Sequence, residues 1–436
     1  MAQTLAPAVR AAFPTTPAAR AADEGVRAAA LDLLQLQGDY RPNLTLRGVA
    51  GGEYYDEAGE VDDPETRFAR EIALGAEVTL FDGFARANRV YRNSARLDGA
   101  IFRLLDASET LALSAVQAYV DVARHLQLQR VSDQNVARHV EIKRQIDDLV
   151  AGGRQPASAA FEVDERLLAA RLARLDVRNA LANARARYVA VIDAEAGASL
   201  VVPGLTDLPA SRDQLVARAV GASFRIRLAD TVIRERLYER EVVEGAWQPR
   251  VTLRGGARYG VDRFGNEGEE SDVFVGIGLE WELYSGGRKA RTGAVAARAR
   301  QAEAERQEAV REVQEFATRA WNSYETGVER VVLLELRRRA SESVVAQYRE
   351  EFRAGTRTLL DVLDAERTLF NVRFEEASAR AALDFSAYRL LAAQSRLADH
   401  FGVSASDMAF DPTFESRARA TAQPTSVFRT EIQALE

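Results

Sequence analysis

The chain has 436 residues and a formal net charge of -7 at pH 7, so it offers no basic surface for a nucleic-acid partner. It contains no cysteine, which excludes disulfides, thiolate metal sites and thiol nucleophiles. No stretch approaches the roughly 18 apolar residues of a membrane-spanning helix, so any membrane segment must be a β-strand.

The composition of the first residues predicts a helix. Residues 1–20 are dominated by Ala and Pro and lack the apolar core of a signal peptide. If the protein is exported, we expect that its signal peptide has been trimmed or that the start is misassigned. We predict an N-terminal helical segment over 1–40, with its best helical stretch at 21–38.

Two halves of the chain repeat each other at an offset of about 201 to 207 residues. Five short matches occur in the same order in both halves. The matched segments are 40–48 with 247–255, 80–84 with 283–287, 118–119 with 320–321, 151–154 with 354–357 and 164–166 with 365–367. One match could be chance, but five in order indicate a duplicated unit. We predict the linker between the repeats at 201–210, which contains two prolines and a glycine.

Each repeat opens with a segment in which apolar and polar residues alternate, at 41–81 and at 247–284. In the second segment Val273 and Val275 share one face, whereas Glu280 lies on the other. Such a period of two predicts β-hairpins with one apolar and one polar face. A sheet packed on a soluble core would also alternate, but the charged polar faces favour strands whose apolar face contacts lipid.

Four strands cannot close a barrel, and open strand edges are not tolerated in lipid, so we expect the chain to oligomerise. Two chains would supply eight strands and three would supply twelve, and the pattern alone does not choose. The connections within the hairpins are long and acidic, as in the outer loops of membrane barrels, and we expect their charges to be solvated. The acidic residues are Glu53, Asp56, Glu57, Glu60, Asp62, Asp63 and Glu65 in the first connection and Asp262, Glu267, Glu269 and Glu270 in the second.

Two proline-free stretches rich in Ala, Leu, Arg and Glu predict very long helices, since proline costs about 3 kcal/mol inside a helix. A helix of about 65 residues is on the order of 100 Å long and requires coiled-coil packing. We therefore predict long helical hairpins over 82–200 and 285–400. Their turns are predicted at 152–156 and 355–358, a shorter helical segment at 211–246, and a poorly ordered tail within 401–436.

The most specific string is FRAGTRTLLDVLDAE at 352–366. Strand pair, glycine turn, very long helix, Ala-Gly tip and returning helix also occur twice in this order. Together these features resemble the TolC family of outer-membrane efflux and secretion channels over nearly the whole chain. Within that family, the segments 80–84 and 388–393 resemble the branch that serves type I secretion.

The resemblance implies a mixed fold: long α-helical coiled-coil hairpins that form an α-barrel, plus four transmembrane β-strands per chain. Three chains would close a 12-stranded outer-membrane β-barrel as a homotrimer, with the segments 1–40 and 211–246 in the periplasm. The implied function is a passive export channel, not an enzyme, without cofactor or metal. The implied partners are outer-membrane lipid, a periplasmic adaptor (membrane fusion protein) and, through it, an inner-membrane ABC or proton-driven transporter. Both secreted proteins and small-molecule drugs fit as cargo.

The resemblance also assigns roles to residues of the periplasmic tip. A ring of aspartates at the pore constriction falls on Asp361 and Asp364, and tip gating falls on Phe352 and Arg357. The first tip, 153–160, lacks the aspartate that often partners this arginine. The resemblance therefore does not identify the residue that locks this tip. Adaptor contact is implied for Ala151, Gly152 and Gly153 of the first tip and for Ala354, Gly355 and Thr356 of the second.

The two aspartates also have a simpler interpretation. Asp361 and Asp364 are three residues apart on one helix face, and threefold repetition would gather six carboxylates that select cations. Both would equally lie in the first turn of a helix capped by Thr358, where aspartate is favoured. For the whole chain, the main alternative is a periplasmic coiled-coil adaptor or scaffold without a membrane barrel. An adaptor should, however, have one helical hairpin flanked by compact β domains.

Overall fold

The computed structural model describes residues 3–55, 65–263 and 267–403 of the chain. The described residues form two compact units. The first unit contains the described parts of 1–24, 102–226 and 308–409, and the second contains those of 25–101 and 227–307. Most of the predicted acidic first connection (56–63) and the predicted tail beyond residue 403 lie outside the described residues.

Long helices dominate the described part of the chain, and short strands lie between them. In chain order the elements are β1 (Gln3–Thr4), α1 (Leu5–Thr15), α2 (Pro17–Gly38), β2 (Asn43–Tyr55), β3 (Glu65–Phe81), α3 (Ala85–Ala151), α4 (Ala157–Ile192), β4 (Leu200–Val201), α5 (Arg212–Ala222), α6 (Phe224–Gly245), β5 (Arg250–Val261), β6 (Glu269–Glu280), α7 (Arg288–Arg353), α8 (Leu359–Ala393) and α9 (Leu397–His400). The predicted mixed fold of long helical hairpins and four strands is confirmed.

The second unit contains one antiparallel sheet in the order β2-β3-β5-β6. β2 and β5 each begin directly after a proline, Pro42 and Pro249, because proline has no N–H to donate to a ladder. The two hairpins pair through β3 and β5, so the repeats share one sheet. Within the described residues β2 and β6 are the outer strands, each paired on one side only.

The strand β6 ends at Glu280, earlier than the predicted end at 284. The ladder stops there because Glu280 pairs with Arg250, and the next partner would be Pro249. Beyond this point a side chain supplies the hydrogen bond to the neighbouring backbone: the indole of Trp281 donates to the carbonyl of Trp247 at 3.1 Å. The prediction that Trp281 and Leu283 extend the strand was therefore wrong.

The apolar face of this sheet is exposed to its surroundings. The side chains of Val273 and Val275 are 80% and 78% exposed, far more than a sheet packed on a core would allow. The same face continues across all four strands. Its other exposed apolar residues are Leu44, Leu46, Ile72, Leu74, Leu80, Leu253, Tyr259, Ile277 and Leu279.

Two long helical hairpins supply most of the first unit. The outgoing helices α3 and α7 have 67 and 66 residues, and the returning helices α4 and α8 have 36 and 35. Buried alanines alternate with larger residues along them, which lets neighbouring helices approach closely. Such seams stabilise helices of this length through contacts with their neighbours.

The main core of the first unit is built around three buried tyrosines, Tyr119, Tyr188 and Tyr388. The hydroxyl of Tyr119 bonds both backbone groups of Val201, donating to the carbonyl at 3.0 Å and accepting from the N–H at 3.1 Å. The hydroxyl of Tyr388 donates to the carbonyl of Pro203 at 2.8 Å. The segment predicted as a linker is thus fixed to the helices, and β4 within it pairs in parallel with β1.

Candidate functional site

The two hairpin tips have the same backbone. In the second tip Gly355 adopts φ +76°, and the N–H of Thr356 bonds the carbonyl of Glu351 at 2.9 Å. In the first tip Gly153 adopts φ +67°, and the N–H of Arg154 bonds the carbonyl of Leu149 at 2.8 Å. Only glycine adopts this left-handed conformation without strain.

This geometry shifts the alignment of the tips by one residue. The sequence comparison matched Gly152 with Gly355, but the left-handed residue of the first tip is Gly153. The position equivalent to Arg357 is therefore Gln155, not Arg154. Two adjacent glycines made the sequence ambiguous, and the hydrogen-bond pattern decides the register.

The predicted adaptor-contact residues are accessible. The backbone turns project them away from the helix cores, and all six are exposed in this chain. They are Ala151, Gly152, Gly153, Ala354, Gly355 and Thr356. Small exposed residues of this kind let a partner approach the backbone closely.

Asp361 forms a capping box at the start of α8. The amide of Asp361 donates to the hydroxyl of Thr358 at 3.3 Å, and the Asp361 carboxylate accepts from the Thr358 amide at 3.3 Å and hydroxyl at 2.7 Å. The hydroxyl of Thr358 is the main cause that lowers the pKa of Asp361. The carboxylate is therefore an ionised first-turn cap of α8.

Asp364 lies one turn further along α8 and has cationic partners. Its Oδ1 is 3.6 Å from the guanidinium of Arg166 on α4 and 3.4 Å from that of Arg367 on α8. The contact with Arg166 joins the two hairpins. All three side chains are partly solvent-exposed, so these pairs orient the tip more than they stabilise it.

The tip-gating candidates Arg357 and Phe352 contact different partners. The Nε of Arg357 donates to the carboxylate of Glu351 at 2.9 Å, and its guanidinium lies 4.0 Å from the ring centre of Tyr348. These partners belong to its own repeat. Phe352 instead packs against a cluster formed by both hairpins, whose buried members are Ile142, Ile146, Ala159, Val163, Leu359 and Leu363.

A buried carboxylate that sequence reasoning missed joins three helices near the tips. Glu366 on α8 is only 5% exposed and accepts from the Nε of Arg138 on α3 at 3.0 Å and from the Nε of Arg349 on α7 at 2.8 Å. We call these three residues the Glu366 clamp. Glu366 lies on the same helix face as the buried Val362 and Leu369. This spacing indicates a buried carboxylate in the sequence, but it does not identify the arginines that pair with it.

Further ion pairs continue along the same two helices. Glu342 on α7 accepts from Arg373 on α8 at 2.9 Å, and Arg338 on α7 pairs with the buried Glu376 on α8 at 2.8 Å. Arg380 then bonds Glu376 and also Glu335 of α7. The second hairpin is thus held together by a row of charge pairs that begins at the Glu366 clamp.

Among the described residues, no group of histidines and carboxylates could hold a metal ion. The helices described also include none whose length and hydropathy would let it span a membrane.

Comparisons with known proteins agree with this architecture. Residues 215–394 match the outer membrane efflux protein family. The outer membrane efflux protein BepC of Brucella suis biovar 1 (strain 1330) is 24% identical over 410 residues, covering 92% of this chain and 88% of the relative. The outer-membrane channel OprN has the same fold at 21% identity, with a TM-score of 0.79 over 90% of this chain and 89% of that chain.

A second solved structure extends the comparison to a more distant relative. The outer membrane protein VceC of Vibrio cholerae shares 16% of its sequence, with a TM-score of 0.77 over 90% of this chain and 96% of that chain. The relatives are channel proteins rather than enzymes. The predicted resemblance to the TolC family and the predicted outer-membrane location are confirmed: the outer membrane efflux protein model matches residues 215–394, and solved outer-membrane channels share the fold over 90% of the chain.

Proposed function

We propose that three copies of this chain form the exit duct of a tripartite export system. The observation that carries this proposal is the sheet with one exposed apolar face and two outer strands, β2 and β6, each paired on one side. Exposed strand edges are excluded from lipid, so the sheet must continue into another chain. Three chains supply twelve strands, and the hairpins of three chains supply a helical tunnel.

The mass of the detergent-solubilised protein tests this assembly. The expected mass is that of three chains. A stable monomer in buffer without detergent would contradict the proposal and would favour the alternative of a periplasmic adaptor or scaffold.

The tips of the hairpins form the periplasmic gate of the duct. In a trimer, Asp361 and Asp364 would be repeated around the axis, and crowded carboxylates attract cations. The partly exposed carboxylates of both residues support this role. Phe352, Arg357 and the Glu366 clamp hold the tip closed, since each connects the end of α7 to its surroundings.

Planar-bilayer recordings test the gate. Replacing both aspartates, Asp361→Ala with Asp364→Ala, should weaken cation selectivity and remove any block by divalent ions. Arg357→Ala should instead raise the resting conductance, because it frees the turn from Glu351 and Tyr348. If the double variant keeps the selectivity and block of the parent, the aspartates act only as helix caps.

The exposed turns contact a periplasmic adaptor, which connects the duct to an inner-membrane ABC or proton-driven transporter. Gly355→Glu should abolish export while three chains still assemble, because a bulky charge at the turn blocks close approach. Export at the parent rate by an assembled Gly355→Glu variant would show that the adaptor binds elsewhere.

The cargo is either a protein secreted by a type I system or a small molecule. The nature of the transporter separates these two. A transporter ATPase and an adaptor encoded beside this chain indicate protein secretion, whereas a proton-driven pump indicates small-molecule efflux. Deleting that transporter should then stop export of the corresponding cargo.

A further inference from the structure

A pocket of about 740 Å³ lies over the polar face of the sheet, at the end where the strands meet the helices. It lies entirely within the second unit. The sheet contributes its polar face, and the end of α2 and the first turns of α3 complete the walls. The charged residues that line it are Arg41, Arg86, Arg89, Arg250 and Arg254, with Asp39 and Glu77.

The arginines of this pocket exceed its carboxylates. Arg250 and Arg254 share a single carboxylate, that of Glu77, at 3.9 and 3.2 Å. Both guanidinium side chains remain more than half exposed, at 54% and 53%. Each guanidinium has five N–H donors, so one shared carboxylate leaves most of their donors directed to solvent.

Two other arginines are fixed in place at the start of α3. Asp82 accepts from the amide of Arg86 at 3.0 Å and from its Nε at 3.2 Å, and lies 3.7 Å from the guanidinium of Arg89. The guanidinium of Arg86 also lies 4.7 Å from the ring centre of Tyr40. This wall of the pocket is therefore rigid, while Arg250 and Arg254 extend from the sheet opposite it.

Glycines keep the sheet surface beside these arginines open. A side chain at Gly276, which pairs with Arg254, would meet nothing within 4 Å. A Cβ atom at Gly75 would approach the hydroxyl of Thr45 at 3.2 Å, and one at Gly278 would approach that of Thr252 at 2.9 Å. The polar face here consists mainly of arginine, glycine and small hydroxyl residues, together with Asn43, Glu77 and Phe274, and it leaves space for a ligand.

The far end of the same polar face has a different charge pattern. There Arg258 bonds its own carboxylate, that of Asp272, at 2.7 Å. Arg263 lies 3.3 Å from Glu71 and 4.0 Å from Glu53. Arg258 and Arg263 at this end thus each have at least one carboxylate of their own, whereas Arg250 and Arg254 share one.

We propose that this arginine pocket binds anionic groups, phosphates or carboxylates, of the cargo that passes through the duct. The proposal rests on the proposed function, because the polar face of the sheet lines the lumen only if the apolar face contacts lipid. Exposed guanidinium groups in a fork recognise such oxyanions with paired hydrogen bonds. In a trimer, three copies of the pocket would form a positive ring around the lumen of the sheet.

Calorimetric titration with inorganic pyrophosphate tests the pocket on the full chain in a neutral detergent, without lipid. We expect one site per chain. The double variant Arg250→Gln with Arg254→Gln should weaken binding by about tenfold or more, since two charge-assisted contacts are lost. Arg258→Gln is the matched control, because it removes an arginine from the same face outside the pocket and should bind like the parent.

Two results would overturn the proposal: no binding to the parent chain, or equal weakening by the double variant and by Arg258→Gln, which would indicate nonspecific attraction. The mass of each variant is measured in the same samples. If the parent forms three chains but does not bind pyrophosphate, the pocket alone is contradicted, whereas a parent that fails to form three chains contradicts the proposed duct. Anionic lipid is then added to the pyrophosphate-bound parent to test lipid headgroups as the other source of phosphate. Displacement of the bound pyrophosphate by these headgroups would overturn the assignment to cargo.

Discussion

The two hairpin tips share a backbone but differ in almost every side chain that surrounds it. Both turns have a left-handed glycine, Gly153 or Gly355, and the same pattern of backbone hydrogen bonds. At the helix start that follows, Thr358 caps α8 with a hydroxyl, whereas Pro156 precedes α4 without a side-chain cap. The repeat has thus kept the turn and changed the residues that hold it.

This difference places the polar contacts in the second tip. Arg357 bonds Glu351 and stacks on Tyr348, while the equivalent of Arg357 in the first tip is Gln155. Glu366 accepts from two arginines. Among the ion pairs of the described residues, Asp164 at the equivalent position bonds only the partly exposed Lys143, at 3.0 Å. The two copies thus share the turn geometry, and the arginine contacts around it occur in the second.

The largest difference between the tips should appear at the Glu366 clamp. Glu366→Gln leaves Arg138 and Arg349 partly buried without their shared carboxylate, and removal of one partner of a buried ion pair costs about 3 kcal/mol. Hydrogen exchange of the α7 and α8 amides near the tip should accelerate accordingly, and the resting conductance should rise.

Asp164→Asn is the matched control for this change. Its ion pair is half exposed, so we expect a cost of about 0.5 kcal/mol or less and no change in conductance. Equal effects of Glu366→Gln and Asp164→Asn would mean that the clamp does not lock the second tip.

The shared backbone makes the next prediction the same for both tips. Gly355→Ala and Gly153→Ala should each cost about 1 to 2 kcal/mol, because alanine is strained at a positive φ. Gly152→Ala should have little effect, since its added Cβ would lie at an ordinary 3.4 Å from the carbonyl of Asp148. Hydrogen exchange of the turn amides measures all three. If Gly152→Ala destabilises the turn and Gly153→Ala does not, Gly152 is the residue equivalent to Gly355, as the sequence comparison proposed.

The sequence alone predicted the four strands of the sheet, the long helices and the tip turns, because each of these elements has a local signal. Alternation marked the four strands, the absence of proline marked the long helices, and glycines marked the turns. The partners of Glu366 in the clamp had no such signal, because Arg138 and Arg349 lie on other helices and only packing brings them to Glu366. The pairing of β1 with β4 was missed for the same reason, since strands of two residues carry no periodicity.

A smaller effect should separate the caps of α4 and α8. Thr358→Ala removes the hydroxyl that accepts from the amide of Asp361, at a cost of about 1 kcal/mol. Ser158, exposed in the first turn of α4, offers the matched change: Ser158→Ala should stay within about 0.5 kcal/mol. Hydrogen-exchange rates of the first-turn amides in α4 and α8 measure the destabilisation caused by each variant. If both variants behave alike, the capping box does not distinguish the tips.

The smallest effect is a pH dependence that only the second tip should have. The hydroxyl of Thr358 holds the pKa of Asp361 below 3.8, its ordinary value, and Ala159 occupies the equivalent position in the first tip. A depressed pKa adds stability above the unfolded value, and this stability is lost as the pH falls through the lower folded value. The thermal midpoint of the parent should therefore exceed that of Asp361→Asn at neutral pH, and the gap should close as the pH falls below 3.8.

In a Thr358→Ala background the difference in thermal midpoint should be smaller at neutral pH, because the main cause of the pKa shift is gone. A gap that is independent of pH, or unchanged by Thr358→Ala, would mean that Asp361 stabilises the tip by something other than its charged cap.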